Sequence, residues 1–177
     1  MPPPIPLADE YMSRFRKEMA HGACVLRDAA GLIVRKEWEW GCPVFFRSGE
    51  PWQHLLRSGW SHAESTYTWS EDRQAFLELE APPEHRDVLL RFACMPFLHG
   101  DLKRQRVRIS HRGRLAASFS VAAVGETMVM ILAPPSGREP LQLVWEFPDA
   151  ASPSDLGMNG DHRKLAIALA SLTATLV

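Results

Sequence analysis

The chain has 177 residues, 20 Lys+Arg against 21 Asp+Glu, and 46% hydrophobic residues. That length suits one domain, the apolar content excludes wholesale disorder, and a net charge of −1 removes the global electrostatic argument for a nucleic-acid or anionic-membrane binder. With 14 Pro, six Trp and only two Tyr, the composition points to a β-rich, loop-rich domain with large aromatic anchors rather than a helical bundle.

The first residues, Met1-Pro2-Pro3-Pro4-Ile5-Pro6, read as a stiff lead-in and lack the basic and then apolar stretches of a secretory leader. Leu7, Tyr11, Phe15 and Met19 follow at helical spacing. Asp9 and Glu10 come early and Arg14, Arg16 and Lys17 later, which predicts a short helix ended by Gly22. Its apolar stripe needs a surface, on the domain or on a partner. Residues 1–22 are therefore expected to form an N-terminal helical or extended arm, and residues 23–177 a domain.

From Ala23 onward the pattern is mostly two-residue alternation. Ala23 to Arg27 and Leu32 to Trp38 flank Asp28–Gly31, which reads as a hairpin. Strands are expected at Ala75 to Leu79, Val88 to Cys94, Val107 to Ile109, Leu115 to Val121, Thr127 to Leu132 and Leu141 to Phe147. Pro82-Pro83, Gly100, Gly113, Gly125 and Pro134-Pro135-Ser136-Gly137 punctuate them. Short strands at such spacings predict an all-β, jelly-roll-like sandwich. For the last stretch, Leu165, Leu169, Leu172 and Leu176 fit one helical face, while Leu165, Ile167 and Leu169 fit a strand; periodicity leaves both open.

Cys24, Cys42 and Cys94 are odd in number and form no close pair, so reduced thiols in a cytoplasmic protein are the expectation. No zinc-type cysteine spacing, HExxH, phosphate loop or dinucleotide fingerprint occurs, so neither a metal nor a cofactor is expected. There is no apolar run of membrane-spanning length.

Three groups of residues are candidates for binding. Lys103, Arg104, Arg106, Arg108, Arg112 and Arg114 crowd one stretch, and on a strand Arg104, Arg106 and Arg108 would share the face opposite Val107 and Ile109. Such a face is either a solvated surface or a docking site for phosphate, uronate or an anionic partner, since Arg binds such groups bidentately. Aromatic interleaving is missing, which argues against nucleic acid. Trp38 and Trp40, spaced by two, and Trp52, in a Gly-Glu-Pro-Trp turn, are candidates for stacking on sugar rings, against the plainer reading of core residues. Asp161 and Arg163 are either ligand groups or a pair that pins a loop. Asp155 to Asp161 faintly resembles a calcium loop but lacks the later bidentate carboxylate, Ala166 standing there, and is expected to be a tight polar loop. Gly59-Trp60-Ser61-His62-Ala63 approaches a nucleophile elbow, but no apolar strand precedes it and no helix start follows. A hydrolase using Ser61 with His62 or Asp161 is the least favoured reading.

Two blocks carry a family resemblance. Gly59-Trp60-Ser61-His62-Ala63-Glu64, with Thr68-Trp69-Ser70 after it, opens the first. Ser152-Pro153, Leu156-Gly157, Asp161-His162-Arg163-Lys164-Leu165 and Ala168 to Leu172 form the second. In this order they resemble a β-sandwich accessory domain found alongside glycosyltransferases and other enzymes of bacterial surface-polysaccharide synthesis, over roughly Val44 to Val177. Two positions depart from that pattern: Ala166 replaces a glycine, and Arg112 replaces the turn Asn before Gly113. The resemblance implies a strand at Leu165 to Leu172, with Trp60 and Trp69 filling the interior.

Together these readings predict a non-catalytic sandwich module. It would bind a glycan or acidic sugar, a glycolipid precursor or a partner enzyme in polysaccharide synthesis. The alternative is an interaction or scaffolding module that self-associates into a homo-oligomer through its arm or strand edges.

Overall fold

The computed structural model describes residues 38–132 and 139–177. The arm over 1–22, the hairpin before Trp38, Cys24 and the turn at Pro134–Gly137 lie outside the described residues. Trp38–Val177 makes one compact unit.

Among the described residues are nine strands: β1 Val44–Phe45, β2 Thr68–Trp69, β3 Gln74–Leu79, β4 Val88–Pro96, β5 Gln105–His111, β6 Arg114–Val121, β7 Gly125–Ile131, β8 Leu141–Glu146 and β9 Ile167–Leu176. A 3₁₀ turn at Pro51–Leu55 separates the first two. One sheet runs β1-β9-β4-β7 with β2 also paired to β9, and the other runs β3-β8-β5-β6. Every pairing is antiparallel. With β2 set aside, the eight strands form the two four-stranded sheets of a jelly roll, as expected.

Alternation places the side chains. On β5, Gln105, Val107 and Ile109 are buried while Arg106 and Arg108 face solvent. β9 lies between β4 on one side and β1 and β2 on the other, and every residue from Ile167 to Leu172 is buried. A strand covered on both faces carries apolar residues at nearly every position, so its leucines match a helical face as well as a strand. That is why periodicity alone left it open.

The aromatic centre of the core joins the two sheets. Trp145 on β8 packs edge-on to Phe92 on β4, with ring centroids 4.9 Å apart, and to Trp60, at 5.9 Å. Phe147 lies against both tryptophans. The Trp60 indole N–H donates to the Phe76 carbonyl at 2.9 Å, satisfying its one polar atom.

The cysteine expectation needs correction at Cys42, which is buried and disulfide-bonded rather than reduced. Cys94 is free, and burial pushes its thiol up to about 12, so it behaves as an inert core residue.

Candidate functional site

The loops at one end of the sandwich are tied together by main-chain hydrogen bonds. Glu71 N–H donates to Gly59 O, Lys164 N–H to Glu71 O, Phe147 N–H to Arg73 O and Phe97 N–H to Ala166 O, all within 3.0 Å. Segments around residues 59–73, 97–104 and 147–166 thereby form a single end surface.

A row of aromatic rings crosses it. Tyr67 and Trp69 meet at 5.6 Å, Trp69 and Phe97 at 6.2 Å, and Phe97 and His99 at 5.5 Å between centroids. All four side chains are half-buried, and Leu98 between the last two is exposed. Local structure sets this orientation. In β2, Thr68 turns inward and donates its hydroxyl to Phe46 O at 2.8 Å, so its neighbour Trp69 turns outward. Phe97 is held by its backbone, because the buried Gln105 amide donates to its carbonyl at 2.5 Å.

An arginine–carboxylate pair stands at each end of the row. At the His99 end, Arg106 donates Nε to Asp149 Oδ2 at 2.8 Å and Nη2 to Oδ1 at 2.6 Å, and its backbone N–H adds a third bond at 3.1 Å. These bonds hold the Asp149 carboxyl below its usual range, with His99 adding to the effect. At the Tyr67 end, Arg163 grips Asp161 through Nε at 3.0 Å and Nη2 at 2.6 Å. Its Nη1 lies 3.9 Å from Glu64, whose backbone N–H donates to Tyr67 O at 2.8 Å. The Asp161 carboxyl is likewise held low, chiefly by the Arg163 hydrogen bonds.

The sequence-predicted residues are not gathered in one place. Trp38 and Trp52 are buried in the core, which corrects their assignment as exposed stacking residues. Trp40 is half-buried and packs edge-on against Trp38 at 4.8 Å. That pair adjoins Ala174, where Gly41 N–H donates to the Ala174 carbonyl, whereas Trp69 pairs with Ala168 near the other end of β9. Six residues of strand separate the two by about 20 Å. On β5, Arg106 and Arg108 do share a solvent-facing row, but the former is bound to Asp149 and the latter stands opposite Glu146 on β8. Arg104 is exposed in the loop before β5. Arg112 pairs with Glu139. Arg106 and Arg112 are thus each matched by a carboxylate, while Lys103, Arg104, Arg108 and Arg114 are exposed.

Trp69 is also corrected: it is half-buried on the end surface, whereas Trp60 fills the interior as the resemblance implied. The sequence reading missed Tyr67, Phe97, His99 and Asp149. The available signal was the Tyr67-Thr68-Trp69 alternation, short enough to pass as loop.

Two further motifs resolve plainly. The Ser61 hydroxyl donates to the His62 carbonyl at 3.1 Å and its N–H to Trp69 O at 2.9 Å, so Ser61 is held by backbone rather than paired with an imidazole. In the Asp155–Asp161 loop, Asp155 faces Lys164 at 3.3 Å, Asp161 faces Arg163, and Asn159 Oδ1 accepts the Asp161 N–H at 2.8 Å. Its carboxylates are thus each paired with a cation, as a tight polar loop requires.

No protein-family model matches the chain, and no curated protein matches it. Solved structures give distant likenesses. One is a GH115 4-O-methyl-alpha-glucuronidase, BtGH115A, with specificity for decorated arabinogalactans, at 13% identity, TM-score 0.47 and 86% of this chain; the chain spans 20% of that enzyme. Another is the CBM22-2 xylan-binding domain of Paenibacillus barcinonensis Xyn10C, at 12% identity and TM-score 0.46, covering 77% of this chain and 99% of that one. A third is the carbohydrate-binding module CBM36 in complex with calcium and xylotriose, at 6% identity and TM-score 0.36, covering 76% of this chain and 99% of that one. Likenesses this distant carry no argument about function, and the jelly roll rests on the strand order itself.

Proposed function

We propose that this domain is a non-catalytic module that binds a glycan across the end surface lined by Tyr67, Trp69, Phe97 and His99. The observation that carries the reading is the aromatic row with a bidentate arginine–carboxylate pair at each end. Sugar rings present flat C–H faces edged by hydroxyls. Half-exposed aromatic rings suit the first, and paired donors and acceptors suit the second. Ser61, the one nucleophile weighed from the sequence, is held by backbone. The glycan is assigned to surface-polysaccharide synthesis on the opening and closing sequence blocks.

Affinity electrophoresis and a glycan array test this reading. Trp69→Ala and Phe97→Ala should abolish retardation or array binding, and Trp52→Phe, a change inside the core, should leave it intact. Binding unaffected by both end-surface changes would sink it.

A second reading has its own observation. Met128 and Met130 on β7 and Leu132 just past its end are exposed, with relative accessibilities of 62%, 40% and 77%, and β7 is the edge of its sheet. An apolar edge of this kind suits docking of a protein or a second copy. Sedimentation of the wild type and of Met128→Lys separates it: one monomeric species for both would exclude self-association through this edge.

A further inference from the structure

Building on the glycan-binding reading, we infer that the ligand is a neutral, hydroxyl-rich glycan and that acidic sugars are selected against. The charge arrangement around the aromatic row carries this. Two guanidiniums, Arg106 and Arg163, meet three carboxylates, Asp149, Asp161 and Glu64. Arg106 spends Nε, Nη2 and its backbone N–H on Asp149, engaging both carboxylate oxygens. Arg163 spends Nε and Nη2 on both oxygens of Asp161, and its backbone N–H adds a further bond at 3.0 Å.

A uronate approaching either arginine must displace a carboxylate already bound bidentately or lie beside it. The first leaves Asp149 or Asp161 with its charge uncompensated, and the second places like charges a few ångströms apart; both disfavour an anion. A neutral diol meets no such conflict. Its oxygens accept from the guanidinium N–H groups that remain, and its O–H groups donate to lone pairs the carboxylates still offer. The pairs therefore select for hydroxyls. Lys103 and Arg104, both exposed in the loop before β5, are the cations an acidic glycan would use instead.

The test is an array of neutral and uronate-containing oligosaccharides, followed by calorimetry on the best neutral and the best acidic probe at low and high NaCl. The expected result is neutral hits whose Kd changes less than about twofold with salt. Asp149→Asn frees Arg106 from its counter-charge and should tighten binding of a uronate probe about three- to tenfold, lost again at high salt. Asp161→Asn is the independent variant should the first disturb the loop. Preferential, salt-sensitive binding of uronate glycans by the wild type, removed by Arg104→Ala or Arg106→Ala, would overturn the neutral-ligand inference while leaving glycan binding in place. No hit of either kind would overturn the glycan reading itself.

Discussion

Ser70 and Ile167 hold each other twice. Ser70 N–H donates to the Ile167 carbonyl at 2.8 Å, and Ile167 N–H donates back to the Ser70 hydroxyl at 3.2 Å. The same hydroxyl accepts Ala166 N–H at 3.0 Å. One fully buried serine thus anchors the start of β9 and joins the opening sequence block to the closing one. Ser70→Ala should leave two buried amides without an acceptor, at about 1–3 kcal/mol each. Urea unfolding is expected to show a loss of about 2–4 kcal/mol with an unchanged m-value. A loss under about 0.5 kcal/mol would mean the hydroxyl is not the anchor.

The long strands were legible because each buries one face, and period-two alternation records that directly. β3, β5 and β8 all read correctly for this reason. β1 and β2, two residues each, did not, because alternation needs several residues to register and both exist only as additions to β9. The site was less legible than the fold. Trp38 and Trp52 carry the same residue type as Trp69, and only the direction of each local turn decides which indole faces outward. The sequence showed the arginines but not their counter-charges: Asp149 lies 43 residues from Arg106. Asp161 and Arg163, two residues apart, were readable as a pair from spacing alone.

Gly59 marks a position where backbone approaches backbone. Its φ is +82°, and a Cβ there would lie 2.2 Å from Gln74 O and 2.6 Å from Ala75 Cα, with no flexible group to yield. Gly59→Ala should cost about 3 kcal/mol or more. Gly157, with φ +68° and open space around its Cα, isolates the conformational part alone. Gly157→Ala is expected to cost about 1 kcal/mol. Equal losses for the two variants in thermal melts would mean the close approach at Gly59 does not matter.

Acid should weaken the end surface through Asp161. Its carboxyl is held below the ordinary aspartate value by Arg163, so the pair's stabilisation is complete above the unfolded-state pKa of about 4. As pH falls through the lowered folded value the proton binds and that contribution disappears. Melting temperatures between pH 7 and pH 2.5 should therefore drop less steeply for Asp161→Asn than for the wild type. Parallel curves would refute a role for this pair in acid stability.

Arg112 stands in the turn between β5 and β6 with φ of +50°, followed by Gly113 at +73°. Positive φ at both central residues is the signature of a type I′ hairpin turn, which favours Asn-Gly because Asn tolerates the left-handed region better than a long side chain does. Arg112 recovers part of this cost through its ion pair with Glu139, but both groups are largely solvated, and such pairs contribute about 0–1 kcal/mol. Arg112→Asn should relieve about 0.5–1 kcal/mol of strain, and the lost pair should return less than that. The expected outcome is a Tm raised by about 1–4 °C for a domain of this size. Glu139→Ala, which removes the pair and keeps the strain, should lower it slightly. If Arg112→Asn and Glu139→Ala instead lower Tm by the same amount, the ion pair rather than the turn geometry governs this hairpin.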